Sequence, residues 1–197
     1  MAVSRNVLAD TGDGVASVPM ANHVLLDAAV AGDRFAFETL VHRHGPALHR
    51  YARRMLRDEG DVAEVVQDTF VAAWRQLKSF RRGAAVQTWL FKICSRKVID
   101  SRRVKRTEPI DDERLTPLAD TTSADPFTFA SNSTFCTALH EALSELPPRQ
   151  RASWVLREVD MLSFPEIGVA LGLSPDAVRG HHHRARAMLT QRLRRWR

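Results

Sequence analysis

Apolar residues recur at three- and four-residue spacing through most of this 197-residue chain. That is the period of amphipathic helices, and no sustained alternation argues for a strand. From Asn22 the pattern predicts a first helix to Ala31, capped by Asn22 and stopped at Gly32. Asp33 caps a second, with Phe37, Leu40 and Val41 facing inward. Gly45-Pro46 is expected to break it and open a third, with Leu48, Tyr51, Ala52 and Met55 inside and Arg50, Arg53, Arg54 and Arg57 outside. Asp61 begins a long helix to about Leu77, whose stripe of Val62, Val65, Val66, Thr69, Phe70, Ala73 and Trp74 is broader than a lone helix needs. After the break KSFRRGAAVQ, another helix runs from Thr88 to about Arg103. The period then lapses until near Thr134. Ala138, Leu139, Ala142, Leu143 and Leu146 mark the next helix, and Pro147-Pro148 stops it and opens one with Ala152, Trp154, Val155, Leu156 and Val159.

The last stretch, 163–197, carries the densest local signals. Ser163 and Glu166 have capping-box spacing ahead of Ile167, Ala170 and Leu171. Gly172 can take the left-handed conformation that ends a helix, and Leu173 plugs the turn. Ser174 caps a second helix with Pro175 at its first position. Ala177, Val178, Ala185, Met188, Leu189 and Leu193 form its packed side, while Arg179, His181, Arg184, Arg186 and Arg192 lie opposite. A short helix, a Gly-containing turn and a longer basic helix match helix-turn-helix grammar, in which the second helix enters the DNA major groove. Any helical hairpin with a solvated basic face shares part of this pattern.

Charge shifts the balance towards nucleic acid. The chain carries a formal net charge of +6, mostly from arginine, which favours a polyanionic partner. The excess is not uniform. Residues 22–106 hold 17 Lys and Arg against 9 Asp and Glu, and residues 136–197 hold 10 against 6. Between them, Glu108 to Ser131 holds six acids and Arg114 alone among bases. This predicts an all-α chain with two small basic helical domains on a flexible acidic linker: a disordered lead-in at 1–21, a first domain at 22–106, the linker at 107–134 and a helix-turn-helix domain at 135–197. No apolar run is long enough to span a membrane, and the N-terminus lacks signal-peptide pattern. Cys94 and Cys136 read as buried thiols in a reducing cytoplasm.

The motifs DVAEVVQDTFVAAW (61–74), SFRRGAAVQTWLFKI (79–93) and ELPPRQRASWVLREVDMLSFPEIGVALGLSPDAVRGHHHRAR (145–186) resemble, in order, segments of bacterial extracytoplasmic-function sigma factors of the sigma-70 family. The resemblance implies an alternative sigma factor that binds core RNA polymerase and directs it to chosen promoters, melting the minus-ten element and holding the minus-thirty-five element. It implies a polymerase-binding set of Asp61, Glu64, Gln67, Asp68, Phe70 and Trp74, an aromatic anchor with a polar rim. Lys78, Phe80, Arg81, Arg82 and Gln87, with Arg96, Lys97, Asp100 and Arg103 on the following helix, would take the minus-ten element. Capture of an unstacked base needs cations, a pocket and an aromatic or amide group, and these residues supply those types. Trp89 could serve there or fill the core. Ser174, Asp176, Arg179, Gly180, His181, His183, Arg184 and Arg186 would meet the minus-thirty-five element. The family commonly has Asn at Arg96, and Ser, Arg and an aliphatic residue at Gly180, His181 and His182. These departures bear on base preference, and His182 falls on the expected core face.

An anti-sigma protein is a further partner implied by the resemblance. The acidic linker reads either as a solvated tether or as a strand occupying a basic polymerase channel. The three adjacent histidines do not share one helix face, and no Cys or carboxylate completes a metal set. No nucleophile–base pair or phosphate loop is visible, so neither an enzyme nor a cofactor is expected. The competing reading is a stand-alone helix-turn-helix regulator, which leaves residues 61–74 unexplained.

Overall fold

The computed structural model describes residues 20–80, 85–105 and 126–196. Its elements are α1 (Asn22–Val30), α2 (Arg34–Met55), α3 (Glu59–Gln76), a 3₁₀ turn (Leu77–Ser79), α4 (Val86–Lys105), α5 (Pro126–Glu145), α6 (Pro148–Glu158), α7 (Phe164–Leu171), α8 (Pro175–Arg192) and a closing 3₁₀ turn (Arg194–Trp196). Among the described residues there is no strand.

Four boundaries differ from the sequence expectation, each for a physical reason. Gly45-Pro46 does not break the chain: α2 runs unbroken with Pro46 inside it. Proline removes one intrahelical bond, but Leu40, His44, Leu48, Tyr51, Ala52 and Met55 stay buried along the helix on both sides of it. Tertiary burial supplies most helix stability in proteins, so the stripe wins over one lost bond. Asn22 does not cap α1. The cap position is Ala21, and the Asn22 Oδ1 accepts from Arg43 at 2.7 Å, tying the start of α1 to α2. In α3 the helix starts at Glu59, because Asp58 accepts from the Asp61 N–H at 3.0 Å. Finally, α5 begins at Pro126, inside the stretch expected to be linker up to residue 134. Proline is favoured at a first helical position, and Phe127, Phe129 and Ala130, mixed with Thr, Ser and Asn, give no sustained three-and-four period to reveal the helix. Residues 106–125, which hold most of the acidic stretch, and the lead-in 1–19 lie outside the described residues.

The first half, α1 to α4, packs around Leu25, Leu40, Leu48, Tyr51, Val62, Phe91 and Val98. The Tyr51 ring meets Phe91 edge-on at 5.5 Å, and its hydroxyl lies 2.9 Å from Ser95 Oγ. Burying the phenol pushes its pKa well above the ordinary tyrosine value, so it stays a neutral hydrogen-bonding group. Each such fully buried side chain contributes about 1.5–3 kcal/mol. The second half, α5 to α8, packs around Leu143, Val155, Leu156, Ile167, Val178 and Ala185. The halves touch: α4 packs on α7, and α2 packs on α5 and α6, so one buried apolar cluster runs through both.

Candidate nucleic-acid and polymerase interfaces

The helix-turn-helix is assembled by local chemistry. Ser163 and Glu166 cap each other: the Glu166 N–H donates to Ser163 Oγ at 3.4 Å and the Ser163 N–H donates to Glu166 Oε2 at 2.8 Å. The Ser163 hydroxyl, which also donates to Glu166 Oε2 at 2.5 Å, and then the Ser163 N–H hold the Glu166 carboxyl below its ordinary value. Gly172 takes φ 66°, and the Leu173 N–H returns to the Gly168 carbonyl at 2.9 Å. The turn folds back so closely that a Cβ on Gly168 would stand 2.7 Å from the Leu173 carbonyl oxygen. Only glycine fits there. Ser174 Oγ then accepts from the Ala177 N–H at 3.2 Å, fixing the start of α8.

Val178, Ala185 and Leu189 anchor α8 to the core. The opposite face presents Ser174, Asp176, Arg179, His183, Arg184 and Arg186 to solvent, with Gly180 and His181 half-buried at its edge. Arg179 pairs with Asp176 one turn back. The Arg184 guanidinium lies 3.3 Å from His181 Nδ1. Burial, then Arg184 and Arg149, pull the His181 pKa down, which favours a neutral ring with one donor and one acceptor. Of the eight residues expected to meet the minus-thirty-five element, six are thus solvent-exposed at the start of α8 or along it, and Gly180 and His181 are half-buried.

The minus-ten set is only partly brought together. Arg81 and Arg82 lie outside the described residues. Phe80 is half-buried and meets Trp89 edge-on at 4.9 Å, and both pack against the core. Trp89 is thus a core-edge support for Phe80. Gln87 is half-buried beside His44 and Phe91, lining a small cavity. Lys78, Arg96, Asp100 and Arg103 are exposed. Lys97 turns towards α3 and binds Asp68 at 2.8 Å.

That ion pair also splits the polymerase-binding set. Asp68 faces α4, whereas Asp61 and Glu64 stand on the first turns of α3. Gln67, Phe70 and Trp74 do converge, on an open groove of about 520 Å³ between α2 and α3. Its other walls are Phe37, Val41, Val71 and Arg75. Phe37 meets the Trp74 ring at 4.9 Å and Phe70 at 6.5 Å. Sequence reasoning assigned Phe37 and Val41 to the interior. The available signal was that α3 shows an apolar stripe too broad for one partner, so a second apolar wall was needed to face it. Among the described residues no cluster of His, Cys, Asp and Glu is arranged to hold a metal. Of the two cysteines expected to be buried, Cys94 is buried beside Thr69, where burial pushes its thiol up to about 12, whereas Cys136 is exposed on α5.

Residues 40–108 match sigma-70 region 2, and residues 136–189 match sigma-70 region 4. The sigma factor NccH of Alcaligenes xylosoxydans xylosoxydans is 35% identical over 87% of this chain and 94% of its own length. The chain belongs to the sigma-70 family. Within it, similarity is to extracytoplasmic-function members. SigM of Mycobacterium tuberculosis is 37% identical over 86% of this chain and 83% of its own. The solved structure of CnrH in complex with the cytosolic domain of CnrY is 34% identical, covers 88% of this chain and 97% of that one, and superposes with a TM-score of 0.65. This sigma factor therefore directs transcription initiation together with RNA polymerase. Its region 4 match contains α7 and most of α8, and its region 2 match contains α3, α4 and most of α2. Phe37, one wall of the groove, stands just ahead of that match.

Proposed function

We propose a division of labour among three surfaces of this alternative sigma factor. Core polymerase docks on the α2–α3 groove, with Phe37, Phe70 and Trp74 as aromatic anchors and Gln67 and Arg75 as rim. Desolvated aromatic pockets with polar edges concentrate binding energy. The segment from Lys78 to Gln87 and the outer face of α4 (Arg96, Asp100, Arg103) take the minus-ten element. Lys97 acts there by fixing α4 to α3 through Asp68. The outer face of α8 holds the minus-thirty-five element. The observation that carries the reading is this face: exposed Arg179, His183, Arg184 and Arg186 on a helix whose start, turn and core side are fully fixed. The protein contributes no reaction of its own and works in the cytoplasm. An anti-sigma protein is its further partner, and the related CnrH is itself solved in complex with a second protein, the cytosolic domain of CnrY.

Reading both elements also requires the halves to part. Elements whose names differ by 25 base pairs lie roughly 85 Å apart at 3.4 Å per pair. With α4 packed on α7, the two DNA faces belong to one compact body. The packed form is thus the idle form, and promoter engagement separates it.

Run-off transcription with core polymerase over a promoter library tests the reading. The expected result is protein-dependent starts from a shared pair of spaced elements, weakened at least about tenfold by Phe37→Ala with Trp74→Ala. Duplex binding that needs no polymerase, with no starts, would establish the stand-alone regulator instead.

A further inference from the structure

His182 interrupts an otherwise apolar stripe. Val178, Ala185 and Leu189 lie on the core side of α8, and position 182 falls four residues after the first and three before the second. Its side chain is only 13% exposed. A polar ring held there needs a partner. It has one: Nε2 lies 2.7 Å from Oε1 of Glu158.

Glu158 is the last residue of α6. A carboxylate at a helix C-terminus is disfavoured by the unpaired carbonyls beside it, and a donor or cation offsets that cost. The His182 ring also meets Phe164, the first residue of α7, edge-on at 5.6 Å. Two guanidinium groups lie near the same phenyl ring: Arg157 at 4.9 Å and Arg179 at 5.9 Å from its centroid. Arg157 also donates to the Leu162 carbonyl at 3.0 Å, closing the turn between α6 and α7. One histidine therefore touches the end of α6 and the start of α7 from the middle of α8. Through Phe164 it reaches the platform on which Arg179 rests. A leucine would pack in the stripe, yet it would release Glu158 and take away the ring that backs Phe164.

We propose that His182 is a positioning residue for promoter recognition: its bond to Glu158 and its contact with Phe164 fix the rotation of the recognition helix and the pose of Arg179. It reads no base itself. The inference rests on the assignment of α8 to the minus-thirty-five element.

The test is selection by the full chain with core polymerase on promoters randomised across the upstream element. The variants are His182→Leu, Glu158→Ala, the double variant and His182→Gln, each with its melting temperature. If the unmodified protein selects no upstream sequence, the assignment of α8 fails, and this inference falls with it before any variant is compared. If it does select, the expectation is that His182→Leu folds at least as stably as the parent. It should nonetheless lose roughly fivefold in discrimination at the base positions that Arg179→Ala also affects. Glu158→Ala should lose discrimination at the same positions, and the double variant should be no worse than either single one. His182→Gln, which keeps a donor towards Glu158, should recover part of the loss. Unchanged selection by His182→Leu would make His182 a core residue only. Losses that add in the double variant, or that fall at different base positions, would overturn the coupling.

Discussion

Two joints in this molecule are built on opposite terms. The joint between α7 and α8 is satisfied throughout: a reciprocal cap at Ser163 and Glu166, a left-handed glycine, a second serine cap, and Ile167, Val178 and Ala185 fully buried beneath. The seam between the halves also buries apolar surface, but it strands charge. Asp160 follows α6, is 9% exposed, and neither carboxylate oxygen has a partner among the described residues. Burial pushes its pKa up to about 6, against the pull of Arg50 and Arg54 on α2. Arg151 is buried with its Nε unpartnered, and burial, Arg102 and Arg57 push its pKa down to about 10. His140 is likewise lowered, by burial and then by Arg151, Arg53 and Arg54. Groups from the second half are thus held by arginines of the first in environments that penalise their charge. Satisfied polar groups make a joint permanent, and unsatisfied ones make it separable.

The sharpest way to break the permanent joint is Gly168→Ala. The added carbon would stand 2.7 Å from a backbone oxygen, which cannot swing aside as a side chain could. The expected cost is about 3 kcal/mol or more, seen as a lower denaturation midpoint, with loss of minus-thirty-five binding. Retained stability would mean that the turn yields, and the contrast between the two joints would collapse.

The seam should respond in the opposite direction. A carboxyl whose pKa is raised by packing favours the packed form when protonated. Its contribution is complete below the ordinary carboxylate value of about 4 and is lost as pH rises through about 6. At neutral pH the ionised Asp160 therefore opposes packing, by on the order of 2 kcal/mol after allowance for solvent screening. Asp160→Asn should hold the halves together more tightly at pH 7.5 and reduce protein-dependent initiation several-fold. Distance measurements between a label on each half, scanned from pH 4 to 8, check this. The parent should open as pH rises, and the variant should vary less. Identical profiles would show that burial of Asp160 does not depend on the seam.

A smaller effect tests where the groove's docking surface ends. Phe35 stands 80% exposed at the start of α2, outside the groove walls. Phe35→Ala should leave stability within about 0.5 kcal/mol. If it weakens polymerase capture as much as Trp74→Ala does, the docking surface extends beyond the groove.

What the chain disclosed in advance was local. Caps at Asp33, Ser163 and Ser174, the stop at Gly172 and the stripe Val178–Ala185–Leu189 each depend on residues within one or two turns, and each is found in place. What stayed hidden depends on partners distant in sequence. Pro46 looked like a break because the burial that overrides it comes from other helices. Asp68 and Lys97 were assigned to different functions because a 29-residue separation conceals an ion pair. Phe37 and Val41 do face inward, half-buried against the core, but an inward apolar period does not reveal that the same side chains also wall an open groove. The oddity of His182 was visible, while its explanation, Glu158, lies 24 residues earlier on another helix.

Met161 offers the finest comparison, since it adjoins Asp160 yet belongs to the turn and not to the seam's charges. It is the one non-glycine residue with positive φ among those described, at 58°, and its side chain is 79% exposed. The conformation is held by the Asp160 N–H bonding the Val155 carbonyl at 3.3 Å and the Leu162 N–H bonding the Leu156 carbonyl at 3.0 Å. A left-handed residue with a Cβ costs roughly 1–2 kcal/mol. Glycine removes that cost but adds freedom to the unfolded chain, which returns part of the gain. Little burial is lost with so exposed a side chain. Met161→Gly should therefore stabilise the protein by about 0.5–1 kcal/mol, or roughly 1–4 °C in melting temperature. The pH profile of the seam should stay as it was, because relaxing a backbone angle leaves the solvation of the neighbouring carboxyl unchanged. A profile that moved with this substitution would mean that the strained turn is what presses Asp160 into the seam, making backbone geometry and buried charge a single device.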